Sequence, residues 1–485
     1  MNYKMMGRFN ALIMAVEGVF MLPALCICLF DGEFDVALSF VYSMLIVFSL
    51  AGLLFFLCRK ATRDFYASEG LLCVGMSWIV MCLFGCLPFY FSRQIPSFID
   101  ALFETVSGFT TTGSSILPEV ESLSRGILYW RSFSHWLGGM GVLVFLLAVV
   151  PVSGKNEGFT MHLLRAESPG PTVGKLVPKM RTTAGILYLT YVALTVLDFL
   201  FLLFGKMPVF EAVCTAFGTA GTGGFGVLND SIGSYSPYIQ WVCTVFMFLF
   251  GINFSCYYLI LVGRVKSVLK NEELRFYCLI ILAAIVAISV NISNLCATVG
   301  ESIRTASFQV VSVISSTGYV TADFNEWPTF SKTILFILML FGACAGSTGG
   351  GFKCMRVLML LKILKRNIST ILHPKKVQAV RIDGQPVDEK VLANTNAYLS
   401  AYVLILLVSF LLLSLDNFSL ITNLSAVVTC VNNIGPGFDL IGPTGNFGSF
   451  SVFSKIVLIF DMLVGRLEIF PILVLFYRSA WLRRG

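Results

Sequence analysis

Runs of apolar residues long enough to cross a lipid bilayer recur along the whole chain. They lie near residues 10–30, 36–58, 69–91, 128–152, 183–205, 237–263, 273–296, 331–365, 395–416 and 452–477. One helical crossing needs about 20 predominantly apolar residues, so the pattern predicts an all-α polytopic membrane protein. Of the 485 residues, 56% are hydrophobic and only 13% charged. Soluble domains carry about a quarter charged residues, and no water-soluble core could hide this much apolar surface. The first run follows Lys4 and Arg8 and contains Glu17. It lacks a small-x-small cleavage site, so it reads as a first helix that stays.

The connections between runs are of two kinds. Most of the 34 Lys and Arg residues fall in six clusters: Lys4 and Arg8; Arg59, Lys60 and Arg63; Lys155 to Arg181; Arg264 to Arg275; Lys353 to Lys390; and Arg478 to Arg484. If every run crosses once, all six lie on one side, which the positive-inside rule makes cytoplasmic. Both termini are then expected inside. The formal charge of +7 is this asymmetry and needs no nucleic-acid partner. The three histidines (His135, His162, His373) share no metal-ligand spacing, and the 14 cysteines contain no Cys-x-x-Cys pair. With no nucleophile–base set either, neither an enzyme nor a bound cofactor is expected.

The remaining connections, 92–127, 206–236, 297–330 and 417–451, are poor in Lys and Arg and rich in Gly, Ser and Thr. Each opens with a short amphipathic stretch and reaches a hydroxyl- and glycine-rich turn. Aligned on the glycine that closes each turn, the centres are Thr111-Thr112-Gly113, Gly221-Thr222-Gly223, Ser316-Thr317-Gly318 and Asn433-Ile434-Gly435. The pattern predicts a helix, half-helix with loop, helix unit present four times, preceded by two extra helices. The expected divisions are 1–64 for the N-terminal pair, then repeats at 65–152, 153–270, 271–390 and 391–485. A half-helix cannot span, so its loop turns back inside the membrane. Non-helical backbone survives there only where it lines a water-filled cavity or is buried in protein. Four such loops around one axis would offer carbonyl oxygens able to replace the hydration shell of a weakly hydrated cation such as K+. Ca2+ or Mg2+ would call for carboxylates.

The run from Thr333 to Leu364 would be about 48 Å long as a continuous helix, against a core of about 30 Å. It is interrupted by Gly342–Gly351, with three consecutive glycines at its end. The break is read as a pore-lining gate below the loops, with a small-residue helix-packing face as the competing reading. A phosphate-binding loop fails, because Phe352 separates Gly351 from Lys353. In the last run Arg466 and Glu468 interrupt apolar sequence, and ionisable residues there are functional by default. An Arg466 paired with Asp461 or Glu468 for structure alone is the alternative. Asp100, Glu104 and Glu211 could draw cations to the mouth or serve as structural hydrogen-bond partners. Asp198 and Glu17 read as interfacial or packing residues, and Asn253 as helix glue.

SGFTTTG (Ser107–Gly113), TGGF (Thr222–Phe225), STGY (Ser316–Tyr319), NNIGPG (Asn432–Gly437), CAGSTGGGFK (Cys344–Lys353) and GRLEIFP (Gly465–Pro471) together resemble the Trk/Ktr/HKT family of potassium transporters. The two extra N-terminal helices, RAESPGP (Arg165–Pro171) and WLGGMG (Trp136–Gly141) are most similar to its TrkH branch. The resemblance implies four helix–pore-loop–helix repeats with pseudo-fourfold symmetry and K+ held at the filter carbonyls of the four triplets above. It implies a gate made of Gly346, Ser347, Thr348, Gly349, Gly350 and Gly351 with Arg466 beneath the filter. It further implies a homodimer in the inner membrane, controlled by a separate cytosolic nucleotide-binding TrkA-type subunit. In this family serine at the first filter glycine goes with sodium permeation. Glycine at Gly113, Gly223, Gly318 and Gly435 therefore implies potassium. A symporter coupled to H+ or Na+ is the rival mechanism.

Overall fold

The computed structural model describes residues 2–59, 67–139, 141, 180–376 and 378–481. Lys60, Arg63, the connection at 153–179 with Arg165–Pro171, and all but Gly141 of the final part of the run at 128–152 lie outside the described residues. Six described helices are long and apolar enough to cross a membrane: Tyr3–Phe30, Phe34–Leu57, Glu69–Phe91, Ala184–Phe204, Glu272–Asn291 and Glu389–Asp416. Their outward faces are exposed leucine and phenylalanine, as at Phe34 and Phe56 of the second span and Leu404, Leu407 and Leu411 of the last outer helix. Lipid tails, not water, match such a surface.

Behind the outer helices stand four shorter ones that the repeat predicted: Phe98–Phe109, Val209–Gly221, Val299–Ile314 and Leu420–Asn432. We call them pore helices 1 to 4. Three begin at side-chain caps. Ser97, Thr298 and Ser419 accept from the backbone N–H three residues on, at Asp100, Glu301 and Thr422, which satisfies a donor the helix start leaves free. Their final turns are buried throughout, Phe103 to Phe109 being one instance.

The inner helices depart from the expectation of one break. The run at 237–263 is two helices, Pro237–Phe250 and Phe254–Leu261, bent by 88°. Asn253, read as helix glue, caps the second of them by accepting from Ser255 N at 2.9 Å. The run at 331–365 breaks as expected, between Thr329–Met339 and Cys354–Leu372. The last run also breaks, between Val452–Arg466 and Phe470–Leu475. There Glu468 and Ile469 have φ of 55° and 68°, and Phe470 N donates to Glu468 O at 2.8 Å. This is a γ-turn of positive φ, a strained conformation for a β-branched residue. The break of the third run is written in its glycines, whereas the other two runs carry no comparable glycine stretch.

Inner helix 1 (Arg125–Gly139) ends on Gly138 and Gly139. A Cβ on Gly138 would lie 1.8 Å from Phe109 O, and one on Gly139 would lie 2.6 Å from Gly221 Cα. Glycine is what lets this helix seat directly on the ends of pore helices 1 and 2. A two-stranded hairpin, Arg381–Ile382 with Gln385–Pro386, closes the connection between repeats 3 and 4.

Candidate functional site

All four pore helices end in the same way. Thr112 N donates to Ser107 O, Gly223 N to Gly218 O, Thr317 N to Ser312 O and Ile434 N to Thr429 O, at 2.8 to 2.9 Å. The residue before each, Thr111, Thr222, Ser316 and Asn433, donates to the carbonyl three back and has φ between 53° and 58°. This is a Schellman ending, in which the left-handed position usually falls to glycine. Here it is held by three hydroxyl residues and one asparagine, an unusual conformation for threonine above all. The next glycines, Gly113, Gly224, Gly318 and Gly435, again have positive φ, at 80°, 74°, 80° and 105°.

This common geometry corrects the alignment in the second repeat by one residue. The equivalent triplet is Thr222-Gly223-Gly224, not Gly221-Thr222-Gly223. Gly221 is the last helical residue, where a Cβ would lie 2.2 Å from His135 O. The signal was present in the sequence. TGGF and STGY each place an aromatic directly after the closing glycine, and that match fixes the register.

The loops form a closed ring. A Cβ on Gly113 would lie 2.1 Å from Gly223 O, on Gly224 2.0 Å from Thr317 O, on Gly318 1.9 Å from Ile434 O, and on Gly435 2.9 Å from Thr112 O. Each glycine therefore faces the carbonyl of the next quadrant, and the fourth returns to the first. The outer connections repeat this order. Val120 N donates to Asn229 Oδ1 and Ile232 N to Val320 O; Asp439 N donates to Asn325 Oδ1 and Phe447 N to Ser115 O. Among the described residues, no hydrogen bond reaches the carbonyl oxygens of Thr112, Gly113, Gly223, Gly224, Thr317, Gly318 or Ile434. Buried carbonyls are nearly always paired, so a ring of free ones is an acceptor site for something other than protein. A cavity of about 150 Å³ opens above them, and Gly113, Gly224, Gly318 and Gly435 all line it.

On the other side of the ring lies the break of inner helix 3, the run of Thr329–Met339 and Cys354–Leu372, as inner helix 2 is that of Pro237–Phe250 and Phe254–Leu261. Gly342 N donates to Phe352 O at 2.7 Å and Cys354 N to Ala343 O at 3.1 Å, closing the loop on itself. Its apex reaches the loop triplets: Gly350 N donates to Ser316 Oγ at 2.7 Å and Phe352 N to Asn432 Oδ1 at 3.2 Å. A Cβ on Gly350 would lie 2.7 Å from Asn433 Cβ, and one on Gly349 2.8 Å from Ser315 O. The break in inner helix 2 supports the loop from beside it. Cys344 N donates to Gly251 O, Phe254 N to Gly346 O and Thr348 Oγ1 to Phe250 O. At its base Ala345 N donates to Glu273 Oε1 at 2.6 Å. Arg466 donates to Thr348 O at 2.7 Å, to Gly139 O at 2.6 Å and to Gly138 O. One side chain thus ties the loop to the far quadrant. Ser347 Oγ donates to Cys344 O within the loop.

The other intramembrane charges take structural places. Glu468 pairs with Arg356, whose guanidinium lies 3.9 Å from the Tyr398 ring centroid. Asp461 accepts from Ser409 Oγ at 2.7 Å. Glu104 is fully buried and pairs with Arg131 at 2.6 Å. Asp100 pairs with Lys455 at 2.6 Å, and Glu211 accepts from Tyr235 Oη at 2.7 Å. Glu17 and Asp198, read as interfacial or packing residues, are buried. Sequence reasoning passed over Arg131 and His135, although two polar residues four apart inside an apolar run are a recognisable signal.

Residues 38–481 match the family model TrkH, described as "Cation transport protein". The chain is 34% identical over 492 residues to the Trk system potassium uptake protein TrkH of Salmonella typhimurium, covering 99% of this chain and all of that one. It is 31% identical to TrkG of Escherichia coli, over 95% of each. The crystal structure of the potassium transporter TrkH from Vibrio parahaemolyticus superposes with a TM-score of 0.88 at 29% identity, covering 99% of this chain and all of that one.

Proposed function

The chain belongs to the TrkH family of cation transport proteins, and from that premise we propose that it takes up potassium through the ring of carbonyls, with the broken third inner helix as its gate. The observation that carries this reading is the ring itself. Four like loops present buried carbonyl oxygens that no described donor satisfies. Such oxygens can exchange for the hydration shell of a monovalent cation. The pore helices direct their C-terminal ends, with their partial negative charge, to the same place. Glycine at the third position is required twice over in the first three triplets, by its positive φ and by the neighbouring carbonyl, and chiefly by its φ at Gly435.

Below the ring, Gly346–Gly351 narrows the path and Arg466 holds it narrow, so that only a basal flux passes until a regulator acts. The guanidinium both bonds the loop to Gly138 and Gly139 and sets a positive charge in line with the ion. In the inner membrane, with the basic connections and both termini cytoplasmic, the membrane potential drives entry by about 2.3 kcal/mol per charge per 100 mV. Release of the gate is assigned to a cytosolic nucleotide-binding TrkA-type subunit acting on the basic connections, and the working unit to a homodimer.

The test is rubidium uptake into proteoliposomes of the purified protein, with and without an applied voltage. Voltage-driven uptake in the absence of any imposed proton or sodium gradient is expected. Uptake that appears only with such a gradient would replace conduction by coupled symport.

A further inference from the structure

Arg131 and His135 stand one turn apart on inner helix 1 and present the same face to the first two loops. Both are buried, Arg131 at 3% exposure and His135 at 0%. Arg131 Nε donates to Glu104 Oε1 at 2.6 Å. That carboxylate in turn accepts from Ser115 Oγ and Ile116 N in the first loop, each at 3.0 Å. Arg131 Nη1 donates to Gly226 O at 2.9 Å, and the guanidinium carbon lies 3.6 Å from the centroid of the Phe225 ring. One residue cation thus joins the first loop to the second.

His135 makes a second join. Its Nδ1 is 2.7 Å from Gly108 O on pore helix 1, and its Nε2 accepts from Phe225 N at 3.3 Å. A carbonyl only accepts and a backbone N–H only donates, so the ring is neutral with its proton on Nδ1. The imidazole lies 4.2 Å from the Phe225 ring, and a Cβ on Gly223 would fall 2.2 Å from Nδ1. Gly223, Phe225 and Gly226 therefore all rest on these two side chains. In the third loop Tyr319 holds the place of Phe225, and its own hydroxyl donates to Thr215 O of pore helix 2 at 3.1 Å. Phe225 has no hydroxyl. In the second loop Arg131 and His135 supply from behind the polar anchorage that Tyr319 supplies for itself.

We infer that Arg131 and His135 are positioning residues that set the distance between the first and second quadrants of the carbonyl ring, and with it the discrimination of potassium from sodium. The inference rests on the potassium reading above. Unpaired carbonyls repel one another and are kept at their spacing only by what packs behind them. A quadrant that loses its brace can draw in, and closer oxygens favour the smaller cation.

The experiment compares rubidium and sodium tracer uptake in proteoliposomes of the full-length chain. H135Q keeps a donor and an acceptor near the ring nitrogens' positions and is expected to leave the uptake ratio close to that of the unaltered protein. H135F keeps the bulk and removes both anchors. It is expected to conduct rubidium with a ratio lowered roughly three- to tenfold, the range a lost buried hydrogen bond spans. Should H135F fail to assemble, H135L removes the same two anchors with a smaller side chain, and the same shift is expected. An unchanged ratio in a conducting H135F or H135L overturns the inference alone, as does an equal loss in H135Q. No rubidium uptake by the unaltered protein at any voltage would overturn the potassium reading and the inference with it.

Discussion

Adding a single methyl group at each closing glycine gives a graded test of the ring. For G113A, G224A and G318A the new Cβ would start 2.1, 2.0 and 1.9 Å from the carbonyl oxygen of the next loop, whereas real Cβ atoms essentially never come within 3.0 Å. Each substitution therefore pushes a ring carbonyl by about 1 Å, and it also places alanine at a φ of 74° to 80°. The left-handed conformation alone costs roughly 1 kcal/mol. For G435A the starting distance is already 2.9 Å, so the conformational cost remains but the carbonyl hardly moves. Potassium-over-sodium discrimination is expected to fall about tenfold in the first three, equivalent to about 1.4 kcal/mol of lost preference. In G435A it should fall by less than half that free energy. Reversal potentials in bilayers with opposed potassium and sodium solutions read the ratio directly. A G435A protein as unselective as G224A would refute the reasoning, and so would a G224A protein that kept full selectivity.

Four further outcomes follow from the same geometry. R466A removes the three charge-assisted hydrogen bonds that tie the glycine loop to inner helix 1, each worth roughly 1.5 to 3 kcal/mol; on the proposed gating, rubidium leak without any regulator should rise, and an unchanged leak would count against Arg466 as the latch. Deleting Gly346–Gly351 should raise the same leak further, and a tight, regulated protein would remove the gate assignment. E104A leaves the buried Arg131 without its partner, a loss of about 3 to 5 kcal/mol, so detergent-solubilised protein should melt well below the unaltered chain, with E104Q intermediate. The exposed outer residue Asp439 accepts from Ser419 and Thr422, and these hydroxyls hold its carboxyl below the usual carboxylate range. A depressed folded value stabilises above the unfolded one, about 3.9, and that contribution is lost as pH falls through the folded value. Amide protection at the start of pore helix 4, corrected for the intrinsic pH dependence of exchange, should therefore stay constant across neutral pH and fall only in strong acid, and D439N should flatten that fall.

Much of the architecture was legible because it follows from pattern. Spanning runs, the basic side and the four half-helices each have a period or a composition that survives without coordinates. What escaped was local register and local breaks. The second loop reads Gly-Thr-Gly-Gly, and alignment on the wrong glycine slipped its register by one; Phe225, placed as Tyr319 is in the third loop, was the cue, and the positive φ of Gly224 agrees with it. The breaks at Gly251–Asn253 and Leu467–Ile469 were invisible for the opposite reason. Each lies within a run apolar enough overall to read as one helix, and neither Gly-Ile-Asn nor Leu-Glu-Ile carries a pattern that marks a turn. Glu104 could be read as a charge drawing cations because a sequence lists it without its partner Arg131, and Asp461, offered as a partner for Arg466, accepts from Ser409 instead.

The amino-acid sequence by itself determined that this chain is a multi-pass membrane protein, that one set of its connections gathers the basic residues, and that one structural unit is used four times. These are properties of transfer free energy and repetition, and they are summed residue by residue. Only the tertiary structure decided that the third residues of the four triplets face one another's carbonyls, that Arg466 bonds three carbonyls from two separate segments, and that an arginine and a histidine brace the first two quadrants. Those are distances between residues from 27 to more than 300 positions apart, and no local preference of the chain encodes them.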